Sequence, residues 1–145
     1  MINVTIRRMD WFFTRYVVED NVGLNYSIKD SIETTLERGK KSIFEGDVLK
    51  KTYFEGCEVE VSRRYAPKTF KFKDDSDIDY CRATKTNGTL TRKILYKGKF
   101  LAEVSYRYNW LKLHDSWNIK IFSDDKEIAD KVMFSFMHDY NFEKI

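Results

Sequence analysis

Six cations lie among aromatic side chains in the stretch from Arg92 to Lys112, the part of the chain best equipped to hold a ligand. Arg92, Lys93, Lys97, Lys99, Arg107 and Lys112 are interleaved there with Tyr96, Tyr106, Tyr108 and Trp110. Lysine and arginine at such a surface hold the phosphates of a phospholipid or phosphoinositide headgroup, each contributing about 1 kcal/mol near an anionic membrane. The same combination serves single-stranded nucleic acid, where rings stack on bases and cations follow the backbone. A third reading is plainer: lysine on the solvent face of strands discourages edge-to-edge pairing.

The remaining reactive groups point away from catalysis. His114 and His138 are the only histidines. His114 precedes Asp115, but neighbours on a strand point to opposite faces, so this carboxylate cannot orient that imidazole as a general base. His114 reads as a turn residue, and His138 as a cation in the last turn of a helix, where it suits the dipole. Asp75, Asp77 and Asp79 resemble half of a calcium loop. The sixth position lacks glycine, however, and the twelfth is Thr86 where a bidentate Glu is needed. Cys57 and Cys81 form no CxxC pair and are too few for a disulfide framework. No glycine-rich phosphate loop occurs. We therefore expect no enzyme, no metal and no cofactor.

Charge is unevenly placed. The 145 residues carry a net +3. Between Arg82 and Lys120, nine basic residues face only Glu103 and Asp115, a local +7 that leaves −4 over the rest. Asp74, Asp75, Asp77 and Asp79 are the acidic counterweight. That asymmetry points to an anionic partner. With 42% hydrophobic and 34% charged residues the chain is globular rather than disordered. One proline and six glycines leave no linker, so residues 1–145 read as one domain. No signal-peptide pattern opens the sequence, and no apolar run approaches the ~20 residues that span a bilayer. The chain reads as cytoplasmic, with peripheral membrane contact through the basic stretch.

These residues must be positioned by strands. Ile2, Val4 and Ile6 alternate with polar neighbours, as do Val22, Leu24, Tyr26 and Ile28. Trp11 to Val18 is a denser strand-like run. Residues 30–41 fit a capped helix and a strand equally well. Cys57, Val59 and Val61 share one face, Phe70 and Phe72 alternate with lysine, and Asn87–Gly88 is a strong hairpin signal. Leu90 to Tyr96, Phe100 to Tyr108, Trp110 to Leu113 and Trp117 to Phe122 continue the series. The period then changes. Asp124 followed by Glu127 suggests a capping box, and Ile128, Ala129, Val132, Met133, Phe136, Met137 and Tyr140 form a broad apolar helix face. The spacing predicts a helix over about 125–140, with Lys131, Ser135 and His138 as its polar stripe.

Residues 95–106, LYKGKFLAEVSY, followed by Trp117–Asn118–Ile119–Lys120–Ile121, Asp124–Asp125 and the terminal helix, resemble the tubby C-terminal-like superfamily, which includes the LURP-one-related proteins and the phospholipid scramblases. The resemblance covers about fifty residues closely and the earlier part only in strand rhythm. It implies a mainly β fold: a closed antiparallel barrel of about 10–12 strands with the C-terminal helix through its centre. It also implies a non-enzymatic module that binds an anionic lipid. A small protein-interaction domain of the inhibitor or immunity type, anchored by exposed aromatics, is the alternative. Single-stranded nucleic-acid binding is the second.

Overall fold

The first strand and the last lie side by side, and that pairing organises the molecule. In the computed structural model, Ile2 opposes Ile121 and the register runs without a shift to Met9 opposite His114. The structure describes residues 1–9, 15–30, 34–46, 51–62, 68–111 and 114–144.

Fourteen strands and one helix occur among the described residues. The early strands are β1 (Ile2–Met9), β2 (Arg15–Asp20), β3 (Tyr26–Asp30), β4 (Thr34–Arg38), β5 (Lys41–Gly46), β6 (Thr52–Phe54) and β7 (Cys57–Glu58). There follow β8 (Glu60–Ser62), β9 (Lys68–Lys71), β10 (Asp77–Tyr80), β11 (Thr84–Thr86), β12 (Thr89–Tyr96), β13 (Lys99–Asn109) and β14 (His114–Ile121). The helix α1 (Lys126–Lys144) ends the chain's regular structure. One sheet has nine strands in the order β2-β1-β14-β13-β12-β10-β9-β8, with β11 on the side of β12; the other runs β3-β4-β5-β6-β7. All pairings are antiparallel.

The mainly β reading with a terminal helix therefore holds, while the closed barrel does not: neither sheet closes on itself among the described residues. Helix α1 lies where the inner faces of the two sheets meet. Ala129 through Tyr140 are all buried. Phe134 meets the rings of Phe44 and Phe54 from the five-stranded sheet at 5.3 and 5.8 Å. On its other side it meets Phe70 and Phe72 at 5.9 and 5.6 Å. One aromatic residue thus joins both sheets through edge and tilted ring contacts, the favoured geometries for such pairs.

Between Ala129 and Tyr140 the helix has no solvent stripe. Lys131 Nζ donates to Asp74 at 2.6 Å and to Ser76 at 2.8 Å. Asp130 accepts from Tyr26 at 2.7 Å and from Arg38 Nε at 2.9 Å. Ser135 donates to the Val132 carbonyl, and the His138 ring packs on Phe70 at 5.1 Å. Buried charges persist because each meets an opposite one, Asp130 from Arg38 on β4 and Lys131 from Asp74 in the turn between β9 and β10. The cap also shifts by one residue. Asp125, the residue before the first helical position, accepts from Glu127 N at 2.9 Å, as an N-cap must. Asp124 instead accepts from the N-terminal ammonium at 2.6 Å.

Segment 30–41 resolves, where it is described, as strand with a turn at Gly39 and Lys40, with Thr34 opposite Asp30 and Leu36 opposite Ile28. Trp11 to Thr14 lie outside the described residues. Trp110 and Leu111 form a turn rather than a strand. Asn87 and Gly88, both at positive φ, close the two-residue turn between β11 and β12.

Candidate functional site

Strand register disperses the basic stretch. On β12, Arg92 opposes Val104 and shares the inward row with Ile94, whereas Lys93 opposes Glu103 on the outer face. Lys97 and Gly98, at φ 50° and 79°, make the tight turn into β13, with Lys97 Nζ 5.4 Å from the Tyr96 ring centre. Lys99 opens β13 and Arg107 lies eight residues further along it, about 26 Å at strand spacing. Lys93, Lys97, Lys99 and Arg107 are exposed. Lys112 lies outside the described residues. Of the sequence candidates that are described, Arg92 alone lines a pocket of the inner face.

That pocket, about 420 Å³, opens between the C-terminal turns of α1 and strands β1, β10, β12, β13 and β14. Tyr80, Tyr106, Trp117, Phe136 and Tyr140 supply aromatic wall, and Leu90 and Val104 aliphatic wall. Trp117 holds the aromatic side together, its ring 5.4 Å from Tyr106, 5.9 Å from Phe136 and 5.5 Å from Tyr140. The charged walls are Arg8, Arg92, Asp115 and Asp139.

Each of these charges is held by an opposite one, Arg8 with Asp115 and Arg92 with Asp139. Asp115 accepts from Arg8 Nη2 and from the Tyr106 hydroxyl. Arg8 Nη1 donates to the Tyr140 hydroxyl at 2.9 Å. That hydroxyl lies 2.5 Å from the Tyr16 hydroxyl, which also donates to Asp30 at 3.1 Å. Asp139 is held by Lys68 at 3.1 Å, with Arg92 Nε at 3.8 Å, and the Arg92 guanidinium lies 5.4 Å from the Tyr80 ring centre. Burial, then the bond to Asp115, pushes the Tyr106 hydroxyl up to about 12. Burial and the hydrogen bond with Tyr140 push Tyr16 well above its ordinary value. Phenols so raised stay protonated at neutral pH and serve as hydrogen-bond groups rather than acids.

Arg8, Asp115 and Asp139 were not among the sequence candidates, although the signal for two of them is present. Arg8 continues the inward series Ile2, Val4, Ile6, and Asp115 continues Ile121, Ile119, Trp117. A charge on an apolar face is the informative observation.

His114 and Asp115 do point apart: Asp115 joins the pocket network, while His114 lines a separate cavity of about 370 Å³ with Arg107, Ser116 and Trp110. His114 is not a turn residue; it is the buried first residue of β14. Of the acidic run, Asp79 accepts from Thr69 at 2.7 Å, while Asp75 and Asp77 are exposed. Carboxylates of Glu55, Glu127 and Asp130 do converge within 4.8 Å. Lys41 Nζ sits among them at 2.7, 3.2 and 3.7 Å and supplies the balancing cation. Cys57 and Cys81 are both free thiols.

No family model, curated protein or solved structure matches the chain. No described helix is long and apolar enough to cross a membrane.

Proposed function

We propose that this chain is a non-enzymatic binding domain of the tubby C-terminal-like kind, and that its ligand is an amphiphile with one negative charge. The ligand's apolar body lies among the rings at the C-terminal end of α1, and its carboxylate or phosphate meets Arg8 and Arg92. The observation that carries this reading is the make-up of one pocket, with aromatic walls and two guanidinium groups. Its volume falls within the ~300–1,000 Å³ of small-molecule sites, which combine apolar lining with a few placed polar groups. The charge balance favours an anion. The lining's own charges balance, Arg8 and Arg92 against Asp115 and Asp139, and Lys68, paired with Asp139 from outside the lining, adds a further cation beside them. The terminal motif and buried helix agree with the tubby-like resemblance, and a lipid ligand would bring the domain to a membrane surface from one side only.

The test is titration of Trp117 fluorescence, paired with thermal shift, using myristate, lysophosphatidic acid and indole acetate. Each is compared with its uncharged analogue. Micromolar binding of the anionic member, at least tenfold tighter than its analogue and abolished by Val104→Phe, is expected. Preference for the lysophospholipid would assign a lipid headgroup, and preference for a carboxylate a free acid. Binding no tighter than millimolar throughout, or unchanged in Val104→Phe, would sink the reading.

A further inference from the structure

We infer that the outer face of β12, β13, β14 and β1 is a platform for single-stranded nucleic acid, separate from the pocket beneath it. Two exposed aromatic stations mark its ends. At one end a bulge in β13 between the pairs Ile94–Ala102 and Leu95–Phe100 interrupts the alternation. The extra residue, Leu101, is buried, and Phe100 points outward. Bulges re-aim side chains in this way. Phe100 is 49% and Phe122 46% exposed, with ring centres 5.4 Å apart. Neither ring is needed to complete the core, yet the strand departs from regular pairing and leaves one of them in solvent.

At the other end Trp110, in the turn after β13, is 78% exposed and shares a cavity with Arg107 and Ser116 of the outer face, while its ring also meets Tyr108, from the inward row, edge-on at 4.6 Å. Phe100 and Asn109, the last residue of β13 before Trp110, are nine residues apart along the strand, about 30 Å. Between them the face is polar and basic. Lys93 and Lys120 flank Glu103 in one cross-strand row, and Lys93 Nζ lies 5.8 Å from the Phe100 ring centre. In the next row Asn118 donates to Asn3 and Thr5 at 3.0 and 3.2 Å. Arg107 and Ser116 oppose each other beside Trp110, at the rim of the cavity that holds His114. The Nδ1 of His114 is buried there without a hydrogen-bond partner among the described residues.

This arrangement fits a strand of bases better than a bilayer or an acidic protein. A bilayer takes apolar groups gathered at one protruding point, whereas these stations are separated by a flat polar row. A protein interface places its anchors at the centre and its polar groups at the rim, the reverse of this order. Stacking at both ends with cations between them tracks a phosphodiester backbone, with room for a site at the low end of the ~4–16 nucleotides usual for such surfaces.

Fluorescence anisotropy with fluorescein-labelled dT12 and U12 tests the inference. Micromolar binding at 50 mM salt is expected, weakening about tenfold or more by 300 mM as counterions are recaptured. The variants Phe100→Ser/Phe122→Ser, Trp110→Ala and Lys93→Gln/Lys120→Gln should each lose tenfold or more. All these side chains are exposed, so unchanged circular dichroism and urea midpoints are expected; Trp110→Ala, in a turn, carries the test if the double phenylalanine variant unfolds. No binding at 50 mM salt, or aromatic variants that bind like the parent, would overturn the proposal. So would binding of phosphatidylserine vesicles or polyglutamate, but not of dT12 or U12, that the same variants abolish.

Discussion

Arg8 on β1 and Asp115 on β14 are direct cross-strand partners, and their side chains meet on the inward face beside the helix. The pair therefore links the first strand, the last strand and, through Tyr140, the C-terminal part of α1. Asp115 is almost fully buried, so removal of Arg8 leaves a carboxylate with the Tyr106 hydroxyl as its one remaining partner among those described. Arg8→Met should cost about 3 kcal/mol, in line with breaking a buried pair from one side. Arg8→Met/Asp115→Leu should recover most of that loss, because no charge is then stranded. Urea midpoints of both single variants and the double decide it; additive losses would count against a coupled pair.

Phe134 is fully buried and touches four phenylalanine rings drawn from both sheets. Truncation removes contacts that no single strand can close over, since the cavity walls belong to different sheets. Phe134→Ala should therefore destabilise by about 3–5 kcal/mol. Phe134→Leu, which keeps most of the volume, should cost under about 1.5 kcal/mol. Calorimetric melting of the two variants provides the comparison, and equal losses would mean that the aromatic cluster is not closely packed.

Gly46 and Gly39 separate backbone strain from steric clash. Both have positive φ, 127° and 62°. A Cβ on Gly46 would lie 2.3 Å from the Lys51 carbonyl oxygen, while one on Gly39 meets nothing within 4 Å. Gly39→Ala should cost about 1 kcal/mol, the left-handed penalty alone. Gly46→Ala must also push apart the pairing of Gly46 with Thr52, so a loss of more than about 2 kcal/mol is expected. Chemical denaturation gives both numbers; similar values would show that the β5–β6 hairpin shifts freely.

Alternation and period carried much of the fold into view. The strands β1, β12, β13 and β14 and the terminal helix follow from hydrophobic spacing, because each buries one face against a common core. The polar residues of α1 show where that method ends. Lys131, Ser135 and His138 read only as a polar stripe on a mostly buried helix, because helical period reports side-chain type and not what stands opposite. Asp74 and Ser76, which satisfy Lys131, lie more than fifty residues away in sequence. The basic stretch failed as a unit for a related reason. Adjacent Arg92 and Lys93 belong to opposite sheet faces, so proximity in sequence gave no convergence in space. The pocket was partly legible, since Arg8 and Asp115 break apolar inward series. The bulge that turns Phe100 outward was not, because it depends on how three strands share a twist.

The Lys131–Asp74 pair makes stability depend on acid in a defined direction. The Lys131 ammonium, hydrogen-bonded to Asp74, and then the Ser76 hydroxyl hold the Asp74 carboxyl well below the usual carboxylate range. In the unfolded chain Asp74 returns to about 3.9. Because the folded value is the lower one, the unfolded chain binds the proton more readily. The contribution is fully present above the unfolded value and is lost as pH falls below about 4 toward the folded one. Asp74 itself is largely exposed, so solvent screening holds the ion pair's own contribution to roughly 1 kcal/mol. Lys131 is buried, however, and Asp74→Asn leaves its ammonium with only Ser76 and the rings of Phe72 and Tyr96. The variant should therefore be less stable than the parent at pH 7 and insensitive to protonation at this site. Urea midpoints measured from pH 7 to pH 2.5 should show the gap between parent and Asp74→Asn constant above pH 5 and narrowing below pH 4. A gap that stays constant to pH 2.5 would mean that Asp74 is not held by Lys131 in solution.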